Sequence, residues 1–130
     1  NKAIITDFIP YSEIPSYLSL AKIYVTASKS EVHPLTIIEG LAARLPTVIV
    51  DAPGTGDIVT NNFDGLVAKD DIDDFAKKTM KLITDQELYK KLVTNTQKTA
   101  EKYSYMATSK IMINAYNKTI KIHKEKIWKF

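Results

Sequence analysis

Two glutamates, Glu31 and Glu39, lie eight positions apart in a segment that joins two apolar runs, residues 23–27 and 47–50. The runs have strand length and a helical pattern separates them, so Glu31 falls in the loop before the helix and Glu39 falls within it. A helix that begins at the carboxyl end of a buried strand is where α/β proteins bind phosphate groups. The pair therefore predicts a site in which two carboxylates flank an anion-binding helix end.

The composition narrows the classes of protein that this chain can belong to. With 130 residues, of which 45% are hydrophobic and 25% charged, it is typical of one globular domain. No apolar run approaches the roughly 20 residues that a membrane-spanning helix needs. Cysteine is absent, which excludes disulfides, thiolate metal sites and cysteine nucleophiles and favours a cytoplasmic location.

The order of predicted elements is typical of a Rossmann-like α/β fold. The runs 23–27 and 47–50 are continuous rather than alternating, which indicates strands that are buried on both faces of a parallel sheet. Further strands are predicted at 3–9 and 66–68, and the first of them would leave an open sheet edge that invites dimerisation. Helices are predicted after Ser12, after Asp70 or Asp71, after the capping box Thr84-x-x-Glu87 and after Ser104, with a short one after the 54–56 loop. The sequence thus predicts the second half of a three-layer, doubly wound parallel sheet with C-terminal helices.

The spacing of the glutamates and the strand after them resemble the retaining glycosyltransferases of the GT-B fold, in particular the large family 4 (group 1). Glu31 and Glu39 match that family's Glu-x7-Glu spacing, and Leu45-Pro46 leads into its next strand. Residues 7–14, 61–67 and 103–105 match further segments in the same order. Residues 30–39 are similar to bacterial enzymes that glucosylate diacylglycerol or other membrane acceptors. Arg44 stands where the family usually has glycine, so a positive φ there would be mildly strained.

The resemblance implies a binding site for a nucleotide-sugar donor such as UDP-glucose. Glu39 lies about 7–8 Å inside the helix, a depth that suits a carboxylate accepting hydrogen bonds from ribose hydroxyls while the diphosphate lies at the helix end. Glu31 would be the catalytic residue, contacting the hexose and stabilising positive charge in an oxocarbenium-like transition state. The resemblance implies no metal and no cofactor. The donor-binding residues that it implies besides Glu39 are Lys29, His33, Pro34, Leu35 and Thr36.

Each of these residues also has a purely structural interpretation. Glu31 could be a solvated loop residue, Glu39 a surface charge and Lys29 a solvated lysine. His33 could cap the helix or pack in the loop rather than act as a base. The 54–56 loop is either a turn or a wall of the active site, and Asp57, which stands where the family usually has glutamate, would cap a helix. The acidic residues at 70, 71, 73 and 74 lack the ligand pattern of a calcium loop and are explained by helix capping.

The basic character of the chain belongs to its last segment. Residues 1–103 have a net charge of −2, whereas residues 104–130 have a net charge of +5. We interpret 1–103 as a partial Rossmann-like nucleotide-sugar-binding domain and 104–130 as a basic amphipathic helix that ends in Trp128 and Phe130. This helix would dock on the N-terminal part of the same enzyme or lie on the inner membrane face. Lysines without arginine or interleaved stacking aromatic residues form a poor recognition surface for nucleic acid, which argues against nucleic-acid binding.

The sequence is compatible with three functions. The first is part of a hexosyltransferase that transfers a hexose, glucose being the first candidate, to a membrane lipid or cell-surface glycan. The second is a non-catalytic Rossmann-like interaction module, and the third is another GT-B chemistry such as nucleotide-sugar epimerisation. The family's preceding half-domain and acceptor domain are not in this sequence, which begins without Met. We therefore expect the chain to be part of a longer enzyme and inactive alone.

Overall fold

The computed structural model of the chain describes residues 3–127 and contains a three-stranded parallel sheet. The strands are β1 (Tyr24–Thr26), β2 (Thr47–Val50) and β3 (Gly65–Ala68), and β2 is central. Val25 is in register with Val48, and Ile49 with Val67. The parallel sheet predicted from the continuous apolar runs is confirmed.

Five α-helices precede, connect or follow the strands in the described part of the chain. After a 3-10 turn at Tyr11–Glu13 they are α1 (Ile14–Leu20), α2 (Leu35–Ala42), α3 (Ile72–Thr84), α4 (Gln86–Lys102) and α5 (Tyr105–Ile127). Among residues 3–127 there is no helix whose length and apolar content would let it cross a bilayer. The predicted aromatic end of α5, Trp128 and Phe130, lies outside the described residues.

Apolar side chains cover both faces of the central strand. Ile49 packs in one cluster with Ile37 and Leu41 of α2. Its neighbour Val48 packs in a second cluster with residues of α3 and α4, Leu82 and Leu92. Successive side chains of a strand point to opposite faces, so helices lie on both sides of β2. This arrangement is the three-layer α/β architecture that the sequence predicts.

The strand predicted at residues 3–9 is wrong. These residues form no β-ladder, and Ile4, Ile5 and Phe8 are 85–89% exposed. Asp7 has a φ of 50°, a left-handed conformation that is incompatible with a regular strand. β-Branched residues favour a strand only where a neighbouring strand accepts their hydrogen bonds and covers their side chains, and nothing among the described residues does so here.

The helix-capping predictions have mixed outcomes. Asp71 caps α3, since its carboxylate accepts a hydrogen bond from the Asp74 N–H, and the Ser104 hydroxyl accepts from the Ala107 N–H at 3.2 Å. Ser12 is not a cap, because it lies inside the 3-10 turn. The short helix predicted after the 54–56 loop is a series of turns, so Asp57 has no helix to cap.

The capping box predicted at Thr84 is also wrong by one residue. Thr84 belongs to α3, where its hydroxyl donates to the Met80 carbonyl. Asp85 is the N-cap of α4 and accepts from the Leu88 N–H at 2.9 Å. Asp85 occupies the N-cap position instead of Thr84 because a charged carboxylate is a stronger acceptor than a hydroxyl for the free N–H groups at a helix start.

Helix α2 ends in a Schellman motif with Arg44 in the left-handed position. The Arg44 N–H donates to the Leu41 carbonyl and the Leu45 N–H donates to the Gly40 carbonyl, which is the hydrogen-bond pattern of this motif. Arg44 has a φ of 63°, so the positive φ that its position suggests is confirmed. Its guanidinium donates to the Gln97 side chain at 3.1 Å.

We expect Arg44→Gly to raise the free energy of unfolding by about 0.5–1 kcal/mol, because glycine adopts positive φ without the Cβ clash. Chemical denaturation measures the change. Arg44→Ala is the matched control, since alanine loses the Gln97 contact but keeps the strained backbone, and it should not stabilise the chain. Equal stability of the glycine and alanine variants would contradict this account.

A buried carboxylate connects the turn before β3 to helix α4. Asp64 is fully buried. One oxygen accepts from the Thr60 N–H at 2.8 Å and the other from the Thr99 hydroxyl at 2.5 Å. A buried charge must be hydrogen-bonded to be tolerated, so Thr99 fixes how α4 lies against the sheet.

We expect Thr99→Val to lower the free energy of unfolding by about 1–3 kcal/mol, because it leaves one buried oxygen of Asp64 without a donor at nearly constant volume. The control is Thr94→Val on the exposed side of the same helix, where the hydroxyl only donates to the Lys90 carbonyl. Thermal and denaturant unfolding of the two variants should differ by at least about 1 kcal/mol. Similar losses would show that the Asp64 contact contributes little.

Candidate functional site

The candidate site lies where two parallel strands end. Residues 27–34 connect β1 to α2, and the loop that begins at Asp51 follows β2. The two loops are in close contact at Gly54, which has a φ of 83°. A Cβ at this position would lie 1.8 Å from the Glu31 carbonyl oxygen. Only glycine allows this approach, so the 54–56 loop borders the segment that carries Glu31.

Glu31 is exposed at this edge of the sheet. Its Oε1 accepts a hydrogen bond from the Ser28 hydroxyl at 2.9 Å. The Ser28 N–H in turn bonds the Thr26 hydroxyl at the end of β1. The carboxylate is therefore accessible to a ligand and is positioned by a short chain of hydroxyl groups.

Helix α2 begins directly after this loop with uncapped backbone amides. Pro34 is the N-cap, one position later than the His33 cap that the sequence allows, and it is buried. No side chain of the described residues caps this helix end. The N–H groups of Leu35 and Thr36 lie in the first turn, where a helix supplies no internal partner, and both residues are exposed. Such an end favours a bound anion.

Glu39 lies in the second turn of α2 and is half-buried. Its Oε1 accepts a hydrogen bond from the Tyr11 hydroxyl at 2.6 Å. This hydrogen bond, together with the negative charge of Glu39 and slight desolvation, raises the pKa of the Tyr11 phenol above its usual value. No sequence pattern indicates this contact, since the two residues are 28 positions apart.

A groove of about 440 Å³ opens beside the Tyr11–Glu39 pair. Helices α1 and α2 form its two sides. Most of its lining is apolar, and the side chains that carry it are Ile14, Pro15, Leu18, Ala42 and Ala43. Glu39 therefore presents its carboxylate at the border between an apolar groove and solvent, a setting that suits a ligand with one apolar and one hydroxylated part.

His33 packs against an aromatic ring of a distant helix. Its ring centroid lies 5.5 Å from that of Tyr103, at an interplanar angle of 54°. Tyr103 is the C-cap of α4, so the contact anchors the loop before α2 to the end of α4. Of the two structural roles considered for His33, packing is the one that this geometry provides, since Pro34 and not His33 occupies the N-cap position.

Lys29 forms an ion pair with Asp70 at 3.0 Å. Both side chains are about 60% exposed, at 59% and 62%. The pair connects the loop after β1 to the loop after β3. In the described residues there is no group of three or more histidine and acidic side chains that could hold a metal ion.

The sequence model of the family described as "Glycosyl transferases group 1" matches residues 1–99 of the chain. An uncharacterised glycosyltransferase of Methanocaldococcus jannaschii is 30% identical over 96 residues, which are 73% of this chain and 27% of that protein. The N,N'-diacetylbacillosaminyl-diphospho-undecaprenol alpha-1,3-N-acetylgalactosaminyltransferase of Campylobacter jejuni is 28% identical over 111 residues, which are 85% of this chain and 30% of that protein. The chain thus spans less than a third of either relative.

Solved structures show the same architecture. The crystal structure of Anabaena HepE in complex with UDP-glucose superposes with a TM-score of 0.71 at 18% identity, covering 82% of this chain and 30% of that one. At this identity the likeness supports the fold. Together with the family match over residues 1–99, it establishes that the chain belongs to the glycosyl transferases group 1 family and has a Rossmann-like fold of the GT-B type.

Proposed function

We propose that this chain is the donor-binding part of a retaining, metal-independent hexosyltransferase that uses UDP-glucose. The observation that carries the proposal is the uncapped start of α2 between two accessible carboxylates, Glu31 and Glu39. A nucleotide sugar offers a diphosphate between two polyhydroxylated rings. The candidate site has an anion site between two hydrogen-bond acceptors. This order matches the order of ring, diphosphate and ring in a nucleotide sugar. That HepE binds UDP-glucose supports the choice of donor.

Each group of the site has one role in this proposal. The amides of Leu35 and Thr36 bind the diphosphate, whose negative charge the helix dipole favours. Glu39 accepts hydrogen bonds from the ribose. Glu31 accepts from the hexose and stabilises the positive charge that develops when the bond from C1 to the phosphate oxygen breaks. The acceptor hydroxyl then forms the new glycosidic bond, and its proton leaves with the nucleotide.

Two of the remaining predicted donor-binding residues, Pro34 and His33, act through position. Pro34 is buried and fixes the start of the helix, and His33 anchors the loop to Tyr103. Lys29 is 59% exposed in its ion pair with Asp70. Replacing the carboxylate partner by a phosphate group would therefore require little additional burial of the lysine side chain. We propose that it turns to the diphosphate when the donor binds.

We expect Glu39→Gln to weaken UDP binding roughly tenfold, because a carboxylate is a stronger acceptor for ribose hydroxyls than an amide. Isothermal titration calorimetry on the chain measures the dissociation constant. The matched control is Glu87→Gln, an exposed glutamate in the first turn of α4, which should leave it unchanged. Unchanged affinity in Glu39→Gln would refute the ribose role, and failure of the wild-type chain to bind UDP would refute the donor site.

Glu31→Gln should leave UDP binding within about twofold and lower the preference for UDP-glucose over UDP by about threefold or more, because this carboxylate contacts only the hexose. The ratio of the two dissociation constants is the readout. Glu39→Gln is the comparison, since it should weaken the binding of UDP and of UDP-glucose equally. An equal loss of affinity for both ligands in Glu31→Gln would instead place this residue at the nucleotide.

We propose further that the acceptor is presented at an anionic membrane surface and that α5 lies on it. The name of the Campylobacter jejuni relative specifies an undecaprenol-linked acceptor. Apolar side chains on α5, Met112, Ile113, Tyr116 and Ile120, are 51–60% exposed. At 100° per residue they share one face of the helix, while Lys110, Lys118 and Lys121 lie away from it, on a side that also carries the exposed Ile111 and Ile122. Exposed apolar side chains together with lysines on one helix are features of helices that lie at a membrane surface.

The chain should therefore sediment with vesicles that contain phosphatidylglycerol and not with pure phosphatidylcholine. We expect Lys118→Glu to weaken this binding by about fivefold or more, given roughly 1 kcal/mol for each basic residue at such a surface. Lys90→Glu, an exposed change on α4, is the control. Failure to bind anionic vesicles would favour the other occupant of this face, the N-terminal part of the same enzyme.

A further inference from the structure

We infer that the Tyr11 hydroxyl holds the position on Glu39 that a ribose hydroxyl takes when the donor binds, so that the donor must displace Tyr11. This inference rests on the proposed function and makes Tyr11 a residue that sets donor affinity. The geometry that carries it is the 2.6 Å hydrogen bond from the phenol to Glu39 Oε1 at the mouth of the apolar groove that both residues line.

The contact resembles the interaction that Glu39 would make with a sugar. A phenol and a ribose hydroxyl are both O–H donors, and an ionised carboxylate accepts from either in a short, charge-assisted hydrogen bond. Within the described residues, Tyr11 is the hydrogen-bond partner recorded for the Glu39 side chain. A ribose hydroxyl therefore meets an acceptor that is already engaged.

The segment that carries Tyr11 has little to hold it in place. The phenol is 76% exposed. It belongs to a three-residue 3-10 turn whose N-cap, Pro10, makes no side-chain hydrogen bond, and residues 3–9 before it pair with no strand. Rotation of the tyrosine side chain thus breaks one hydrogen bond and exposes little further apolar surface. Displacement by a ligand is inexpensive by comparison with moving a packed core residue.

The position of the ring also relates it to the groove. Tyr11 lines one end of the groove, and Ile14, Pro15 and Leu18 of α1 continue the same wall. A swing of the phenol away from Glu39 uncovers the carboxylate and widens the groove at once. The same movement thus frees the hydrogen-bond acceptor and gives an apolar ring of the ligand a surface to lie on.

The test is the dissociation constant of UDP for the chain and for Tyr11→Phe, which lacks only the hydroxyl. We expect Tyr11→Phe to bind UDP about threefold to tenfold more tightly, because no hydrogen bond to Glu39 has to be broken. The control is Tyr17→Phe, a half-exposed tyrosine of α1 that makes no contact with Glu39. It should match the wild-type chain.

A second ligand, 2′,3′-dideoxy-UDP, isolates the hydroxyl groups. This nucleotide cannot donate to Glu39, so Tyr11→Phe should bind it no more tightly than the wild-type chain does. An equal gain for both nucleotides would mean that the hydrogen bond to Glu39 only holds the ring across the groove, whatever hydroxyl groups the ligand has, and would overturn the exchange of hydroxyls. Unchanged or weaker UDP binding in Tyr11→Phe would overturn it as well.

A spectroscopic readout separates this inference from the proposed function. The difference in absorbance near 295 nm between the wild-type chain and Tyr11→Phe follows the ionisation of this phenol. Its pKa is raised by Glu39 in the free chain and should return toward the ordinary value of about 10 when UDP is saturating. If UDP binds and the pKa stays raised, the inference is wrong while the donor site stands. If UDP binds to neither chain, both fail.

Discussion

The close approach of two backbone segments at Gly54 determines the geometry of the whole site. A side chain at position 54 would occupy the space of the Glu31 carbonyl, so the loops after β1 and β2 can lie together only because Gly54 has none and tolerates a φ of 83°. This contact fixes the path of residues 27–34. That path in turn decides where Glu31 lies and at what angle α2 begins.

The sheet supplies the platform for this contact. β2 is buried along its whole length, with Ile49 held by α2 and Val48 by α3 and α4. Helix α4 contacts the fold at both ends of the sheet: Thr99 donates to the buried Asp64 in the turn before β3, and Tyr103 packs on His33 in the loop after β1. Helix α4 contains no predicted donor-binding residue, yet it supports the loop 27–34, which does contain such residues. Positioning of the exposed site depends on packing within these two clusters.

The parts of the fold that the sequence predicted are those set by neighbours in the chain. Continuous apolar runs predicted β1 and β2, and the aspartates at 70 and 71 predicted the start of α3. The glycine that the family usually has at position 44 suggested the positive φ of Arg44. Residues 3–9 failed because strand formation needs a partner that local propensity cannot supply. Their β-branched composition is the same signal that succeeded at β2, where β1 and β3 lie on either side.

In the candidate site, too, the locally determined features could be predicted and the long-range contacts could not. The spacing of Glu31 and Glu39 around the start of α2 could be read directly, because helix geometry fixes it. The partners of the site residues could not. Tyr11 is 28 positions from Glu39, and Asp70 is 41 from Lys29. No periodic pattern relates residues at such distances, and only the packing of α1 and of the loop after β3 brings them together.

Both carboxylates of the site accept a hydrogen bond from a hydroxyl group of the protein, Glu31 from Ser28 and Glu39 from Tyr11. A sugar that binds here replaces one O–H donor by another, so the lost internal hydrogen bond offsets part of the free energy that the new one contributes. The amides at the start of α2 have no such internal partner to give up. The largest share of the affinity should therefore come from the diphosphate, and discrimination between donors from how easily each ligand displaces the serine and tyrosine hydroxyls.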